Sequence, residues 1–497
     1  MSVPTVLSGA DRNDGARVGF RAAYRQLSAT GWRTIMEIAA LGAAVMGVIT
    51  LPPLIQAAMQ PSLPANSYQP QPAPPSPTAG PAATVPDEVS IPDLRSGADA
   101  GDPAAQLALA KLYLSGRSGV AKDPGKAATL LQEAADANMP EAARILAQLY
   151  LRGTGVTKDV ARAILLLTKS ADLGDHDAQA DLGWRYQTGL DTPSDPARAV
   201  KYLALAADAG QIHAQHNLAV AYLKGQGVAK DIARSNDLFR AAATAGNVQS
   251  QLEMGRVETL GRGVPIDFVE AVRWLRMAAD KGNGDAQGEI GVFYLNGKGV
   301  PRDLAEAVKW FRMSAEQGNR IGQLNLGLAY DKGEGVPKDP VEGAKWVRKS
   351  ADQDYPNAEF DLALAYRDGI GVPAQPAEAL KWFRFAADQG FVAALFELGL
   401  ADERGEGVAQ DFDAAAKKYR TAADQGLSDA QIRLAHLYLL GHGVAQSRTD
   451  AYFWMTLGAR RQNQPEQLRE LQALSVQLTP TERGAVDARL ASWKVAE

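Results

Sequence analysis

The chain has 497 residues, 46% of them apolar, which excludes global disorder and leaves enough core-forming material for several domains or one extended one. Its 52 basic and 57 acidic residues give a formal net charge of −5, without the positive excess of a nucleic-acid binder, so DNA and RNA are not expected partners. There is no cysteine, which excludes a disulfide framework, a thiolate metal site and a cysteine nucleophile.

A short arm over 1–31 leads into WRTIMEIAALGAAVMGVITL at 32–51, which Pro52-Pro53 would stop. About 20 apolar residues are what a helix needs to cross a bilayer. Arg12, Arg17, Arg21, Arg25 and Arg33 come at or before its start, and the next base is Arg95. The positive-inside rule then keeps the arm cytoplasmic, makes 32–51 a transmembrane signal anchor and exports everything beyond Pro52. A cleaved signal peptide would reach the same compartment, and a buried soluble helix is the remaining alternative. Residues 52–92 hold twelve prolines and almost no charge, which reads as a disordered linker. In polyproline conformation, at about 3.1 Å per residue, it would reach on the order of 100 Å.

Beyond the linker an eight-residue phrase recurs: GTGVTKDV at 153–160, GQGVAKDI at 225–232, GKGVPRDL at 297–304 and GEGVPKDP at 333–340. Its second glycine falls at 155, 227, 263, 299, 335, 371, 407 and 443, and Gly119 and Asp191 complete ten units with a constant period of 36. Paired glycines beside a lysine raise the question of a phosphate loop. No strand precedes them and Gly-Lys-Ser/Thr is absent, so the phrase reads as a turn. Self-similarity at this period means a solenoid whose units bury their faces on their neighbours.

Each unit reads as two helices. Before the turn, Ala178, Leu182, Gly183 and Tyr186 keep helical spacing, and Ala214, Leu218, Ala219 and Tyr222 repeat it. The position after the leucine is always small, from Ala110 and Ala147 to Gly399 and Ala435, which predicts a close helix crossing there. After the turn, eight of ten units have aspartate, as in Asp123-Pro124 and Asp339-Pro340, an N-cap followed by a first-turn proline. Glu270, Glu306 and Glu342 are placed to close capping boxes. The second helices usually end at glycine, among them Gly174, Gly246 and Gly318, which predicts left-handed stops.

This pattern, nearly intact at 286–318, resembles the Sel1-like repeat, a relative of the tetratricopeptide repeat. The resemblance implies an all-α, right-handed α/α superhelical solenoid of ten 36-residue hairpins over 93–464, with the first helices lining a concave face. The departures are local. Asp191 replaces a turn glycine, Glu258 and Asp402 replace the tyrosine, and Gln375 and Ser447 replace the capping aspartate. Residues 465–497 leave the repeat, and Thr479, Pro480 and Glu482 start a helix there, as expected of a C-terminal cap.

The chemistry-bearing residues point away from catalysis. Of five histidines only His213 and His216 could share an ion, and no third ligand is evident, so no metal or cofactor is expected. Trp274, Trp310, Trp346, Trp382 and Trp454 share one repeat position and read as packing residues, whereas Trp184 lies in a first helix. The residue before each first-helix leucine forms a row: Asp181, Asn217, Glu253, Glu289, Asn325, Asp361, Glu397 and Arg433. If the first helices line a groove, these acids and amides would hold a peptide backbone or basic side chains. Polar positions that are merely solvated are the competing account. The expected protein is thus a non-catalytic scaffold in the bacterial inner membrane, single-pass, with its repeats in the periplasm. It would bind envelope proteins or peptides, and the alternative is a peptidoglycan or polysaccharide binder using Trp184 and the same row.

Overall fold

In the computed structural model, residues 90–462 and 464–495 are described; they form 23 α-helices and no strand. They fall into two compact units, one of residues up to 358 with 370–372, the other of 359–369 and 373–495. In the first unit, α1 (Ile91–Asp99) precedes seven hairpins. These are α2 (Pro103–Ser115) with α3 (Pro124–Asp136), α4 (Pro140–Arg152) with α5 (Val160–Asp172), and α6 (His176–Thr188) with α7 (Pro196–Asp208). Next come α8 (Ile212–Lys224) with α9 (Ile232–Thr244), and α10 (Val248–Leu260) with α11 (Phe268–Asp280). The last two are α12 (Gly284–Asn296) with α13 (Leu304–Glu316), and α14 (Arg320–Lys332) with α15 (Pro340–Ala351). The second unit takes most of α16 (Pro356–Asp368), then α17 (Pro376–Asp388), α18 (Val392–Arg404), α19 (Phe412–Asp424), α20 (Ser428–Leu440) and α21 (Arg448–Gln462). It closes with α22 (Pro465–Ser475) and α23 (Pro480–Ser492).

The hairpin of α12 and α13 shows why this sequence bends where it does. Asn283 accepts the Ala286 N–H at 2.8 Å and starts α12. In the turn, the Asp303 N–H donates to the Tyr294 carbonyl at 3.0 Å, and the Asp303 carboxylate accepts the Glu306 N–H at 2.9 Å. Gly299 has φ 66°, and a Cβ there would lie 2.2 Å from the carbonyl oxygen of Phe268, the first residue of the preceding α11. The turn is therefore nested on the hairpin before it, and a side chain is excluded on two counts. Inside the hairpin, a Cβ on Gly291 would meet the Phe311 ring at 2.5 Å, the close crossing that the small position anticipates.

Buried polar bonds, beside apolar packing, join the two helices of a hairpin through serines and one hairpin to the next through glutamines. Ser314 donates to the Gly284 carbonyl at 2.6 Å, as Ser170 does to Pro140 at 2.8 Å and Ser350 to Arg320 at 2.7 Å. In several hairpins a buried glutamine caps the last turn of the preceding second helix: Gln179 to the Ala171 carbonyl at 2.9 Å, Gln251 to Ala243 at 3.0 Å and Gln287 to Ala279 at 3.1 Å. These bonds satisfy carbonyls that a helix end leaves without partners.

Several local expectations are corrected or completed. Glu270, Glu306 and Glu342 turn to Arg273, Lys309 and Lys345 at 2.6, 2.8 and 2.9 Å and close no capping box. The physical reason is that the cap N–H of Asp267, Asp303 and Asp339 already donates to the carbonyl of Glu258, Tyr294 and Tyr330. Thr479 and Glu482 do form the box. Gln375 makes no side-chain cap bond, whereas Ser447 accepts the Asp450 N–H at 3.2 Å. Asp191 takes the glycine conformation at φ 61°, with its carboxylate 2.5 Å from Arg185. The glycine stops are left-handed, as at Gly318 with φ 82°, and Asn138 and Asp354 take their place in two hairpins at φ 63° and 54°. The sequence did not single out α1, which buries Leu94 and Ala98 against Ala105 and Leu109. The proposed span at 32–51 and most of the linker lie outside the described residues. Among the described residues no helix is long and apolar enough to cross a membrane.

Candidate functional site: the polar row of the first helices

In the first unit the row begins on α6. Asp181 is half-buried and takes the Arg185 guanidinium at 2.9 Å, and burial raises its carboxyl pKa although Arg185 pulls the other way. Trp184, one turn on, is also half-buried, with the Arg185 guanidinium 6.0 Å from its ring centre. Asn217 on α8 is 1% exposed, and its backbone carbonyl accepts from Gln187 at 3.3 Å. Asn325 on α14 is half-buried and donates to the Ile321 carbonyl at 2.9 Å.

Between them stands a buried ion triad. Arg256 on α10 reaches Glu253 of its own helix at 2.9 Å and Glu289 of α12 at 2.7 Å, and Arg262 stands 3.8 Å from Glu253. Burial pushes the Glu289 carboxyl up, more than Arg256 draws it down. Burial works against the Arg256 charge, yet the two glutamates hold its pKa above the ordinary value. The triad therefore clips two hairpins together. Its acids are engaged by the protein's own arginine before any partner arrives.

In the second unit, Asp361 is half-buried and Glu397 is 4% exposed. Arg367 holds Glu397 at 2.6 Å and Asp368 at 3.0 Å. Burial again raises the Glu397 carboxyl, against the pull of Arg367. The row is thus assembled on consecutive first helices within each unit, but it is a row of internal ion pairs alternating with half-open positions. Sequence reading missed the arginines that neutralise it. The available signal was Arg185 and Arg256, four and three residues after a row acid, at ion-pairing distance on a helix.

Among the described residues no group of three or more candidate ligands is arranged for a metal ion. His216 instead places Nδ1 2.9 Å from the Ser250 hydroxyl inside the core, and burial, with His213 nearby, lowers its pKa to about 4. Four of the repeated tryptophans, Trp274, Trp310, Trp382 and Trp454, are buried, and Trp346 is half-buried.

The hairpins coincide with ten consecutive matches to the Sel1 repeat, at 103–139, 140–175, 176–211, 212–247, 248–283, 284–319, 321–355, 356–391, 392–427 and 428–463. The chain belongs to the Sel1-repeat family. Among solved structures, this Sel1-repeat protein is similar to c5321, a protective antigen of uropathogenic Escherichia coli strains displaying an SLR fold. The identity is 30%, with 82% of this chain and 95% of that chain covered and a TM-score of 0.54. It is also similar to a Sel1 repeat protein from Oxalobacter formigenes, at 29% identity, with 66% of this chain and 93% of that chain covered and a TM-score of 0.50. A search of curated proteins found no match. Sel1 repeats generally mediate protein–protein interaction, and their solenoids are typically non-catalytic scaffolds.

Proposed function

We propose that this Sel1-repeat protein is a non-catalytic, membrane-anchored scaffold of the bacterial envelope that binds envelope proteins or peptides through its first-helix row. The carrying observation is Trp184 beside Asp181, both half-buried on a row in which Asp181, Glu253, Glu289 and Glu397 are each paired with one of the protein's own arginines. An aromatic ring flanked by polar groups is the usual anchor of a protein interface. Anchoring and export rest on the apolar run at 32–51 and the arginines before it. A linker of such length would hold the repeats near the membrane at raised effective concentration.

Crosslinking of the full chain in its native envelope, followed by identification of captured proteins, tests the reading. Trp184→Ala with Asp181→Asn and Asn325→Ala is expected to reduce capture at unchanged helicity, and unchanged capture moves the interface elsewhere. These positions are preferable to Glu253 and Glu289, whose reversal would break the buried triad. A cytosolic C-terminal reporter would overturn the setting. The second reading, a peptidoglycan or polysaccharide binder, draws on Trp184, since indole rings stack on sugars. Pelleting with cell wall that survives Trp184→Ala counts against it.

A further inference from the structure

Along the turn edge of the first unit, the third residue of each second helix changes sign. It is Lys126, Arg162, Arg198 and Arg234 on α3, α5, α7 and α9, then Glu270, Glu306 and Glu342 on α11, α13 and α15. Acids suit a helix N-terminus and bases oppose its dipole. The later acids are closed by a base one turn on. The early bases are exposed and lie over a tyrosine of their own hairpin. The distances to the ring centres are 5.7 Å for Lys126 on Tyr113, 4.9 Å for Arg162 on Tyr150, 5.6 Å for Arg198 on Tyr186 and 5.3 Å for Arg234 on Tyr222.

Exposed Lys122, Lys158 and Lys230 stand in the turns on the same edge. Counter-charge is partial. Asp123 is 3.6 Å from Lys126 and Asp195 is 3.2 Å from Arg198, but each also accepts a backbone N–H of its helix. Arg162 donates to Gln132 at 2.9 Å, and Asp231 and Asp237 share a surface hollow with Arg234. Four bases placed against the local helix preference, each carried on a ring, amount to a built positive edge with one cation per hairpin.

Because the turns nest one on the next, successive cations are spaced roughly as packed helices are, about 10 Å apart. An extended peptide in polyproline II conformation advances about 3.1 Å per residue with three residues per turn, so every third side chain faces the same way and meets a new hairpin. A ring-stacked guanidinium keeps its planar fork of N–H groups for a carboxylate. We propose that the turn edge of the first four hairpins binds an extended acidic peptide segment whose carboxylates recur every third residue. This surface is separate from the first-helix row and does not rest on that row's role or on the N-terminal segment.

The test is fluorescence anisotropy of a labelled peptide of about 12 residues, enough to pass four hairpins, with glutamate at every third position and glycine and serine between. It is titrated with the full-length protein at low salt. Binding is expected, weakened by added salt, and reduced about tenfold or more in Arg162→Gln/Arg198→Gln/Arg234→Gln. Glu270→Gln/Glu306→Gln/Glu342→Gln should leave it unchanged. Should the first triple variant misfold, Lys122→Gln/Lys158→Gln/Lys230→Gln carries the same expected loss. Absent binding, a loss in the glutamate triple equal to that in the arginine triple, equal binding of a same-composition peptide with clustered glutamates, or binding of polygalacturonate in place of the peptide would each overturn the proposal.

Discussion

The first four hairpins and the next three, within one unit, share the same turn, cap and small position, yet they hold their neighbours with different chemistry. At the place of Trp274, Trp310 and Trp346, the early second helices carry Leu130, Leu166, Tyr202 and Leu238. Two residues on, the later ones carry Arg276, Arg312 and Arg348, where α3, α5 and α7 have Gln132, Thr168 and Ala204. Arg276 reaches into the next hairpin, 4.9 Å over the Trp310 ring and 3.4 Å from the Tyr294 hydroxyl, and Arg312 donates to Tyr330 at 2.9 Å. Arg240 begins this series and meets Glu258 at 3.1 Å, where an acid stands in for the tyrosine. The comparison teaches that backbone register and inter-hairpin adhesion are separately encoded. A few glycines, aspartates and small residues fix the first, and the second is free to be aliphatic or to be built from arginine and aromatic rings.

The strongest way to break the later mode is at its buried triad. Arg256→Ala leaves Glu253 and Glu289 without their cation and should cost about 3–5 kcal/mol in denaturant unfolding, partly restored by adding Glu253→Gln and Glu289→Gln. A loss below about 1 kcal/mol would mean that the triad is ornamental to the later hairpins.

The early hairpins have their own weak point in acid. His216 protonates near 6.5 when unfolded but only near 4 when folded. Between those values the unfolded chain binds more protons, so stability is full above pH 6.5 and falls as the pH drops towards 4. The expected loss is on the order of 3 kcal/mol. Unfolding midpoints measured across this window should slope less in His216→Gln, and an unaltered slope would assign the acid sensitivity to other groups.

Turns can be compared directly. Gly299→Ala meets the Phe268 carbonyl and should cost roughly 2–3 kcal/mol. Gly119→Ala has nothing within 4 Å and should cost about 1 kcal/mol, from its left-handed backbone alone. Equal effects in thermal melts would show that nesting on the preceding hairpin contributes nothing. The smallest contrast is between the two kinds of arginine. Arg276→Ala is expected to cost about 1 kcal/mol. Arg162→Ala should stay near zero, since losing the ring contact is offset by relief at the helix start.

Period, helix pairing, caps and glycine stops were all legible because each depends on one or two residues at fixed spacing. The capping boxes were misread because nothing in the sequence tells that the Asp303 N–H is taken by the Tyr294 carbonyl, a bond made only once the turn closes. The candidate row was legible as positions and not as chemistry. Glu253 and Glu289 look like open acids until α10 and α12 lie side by side and Arg256 comes between them. The buried glutamines recur with the repeat and could have been noticed. Their target carbonyls, eight residues back, become apparent only in three dimensions.

Gly299 seated on the first residue of α11 makes the connecting segment a shim of fixed thickness. A single inserted residue would lift every later layer off the one beneath it, whereas a duplicated block of 36 would slot in with all its seats matched. Such a chain can change its reach only in whole steps, and fusion or truncation of the array should be cut at the same point of the period.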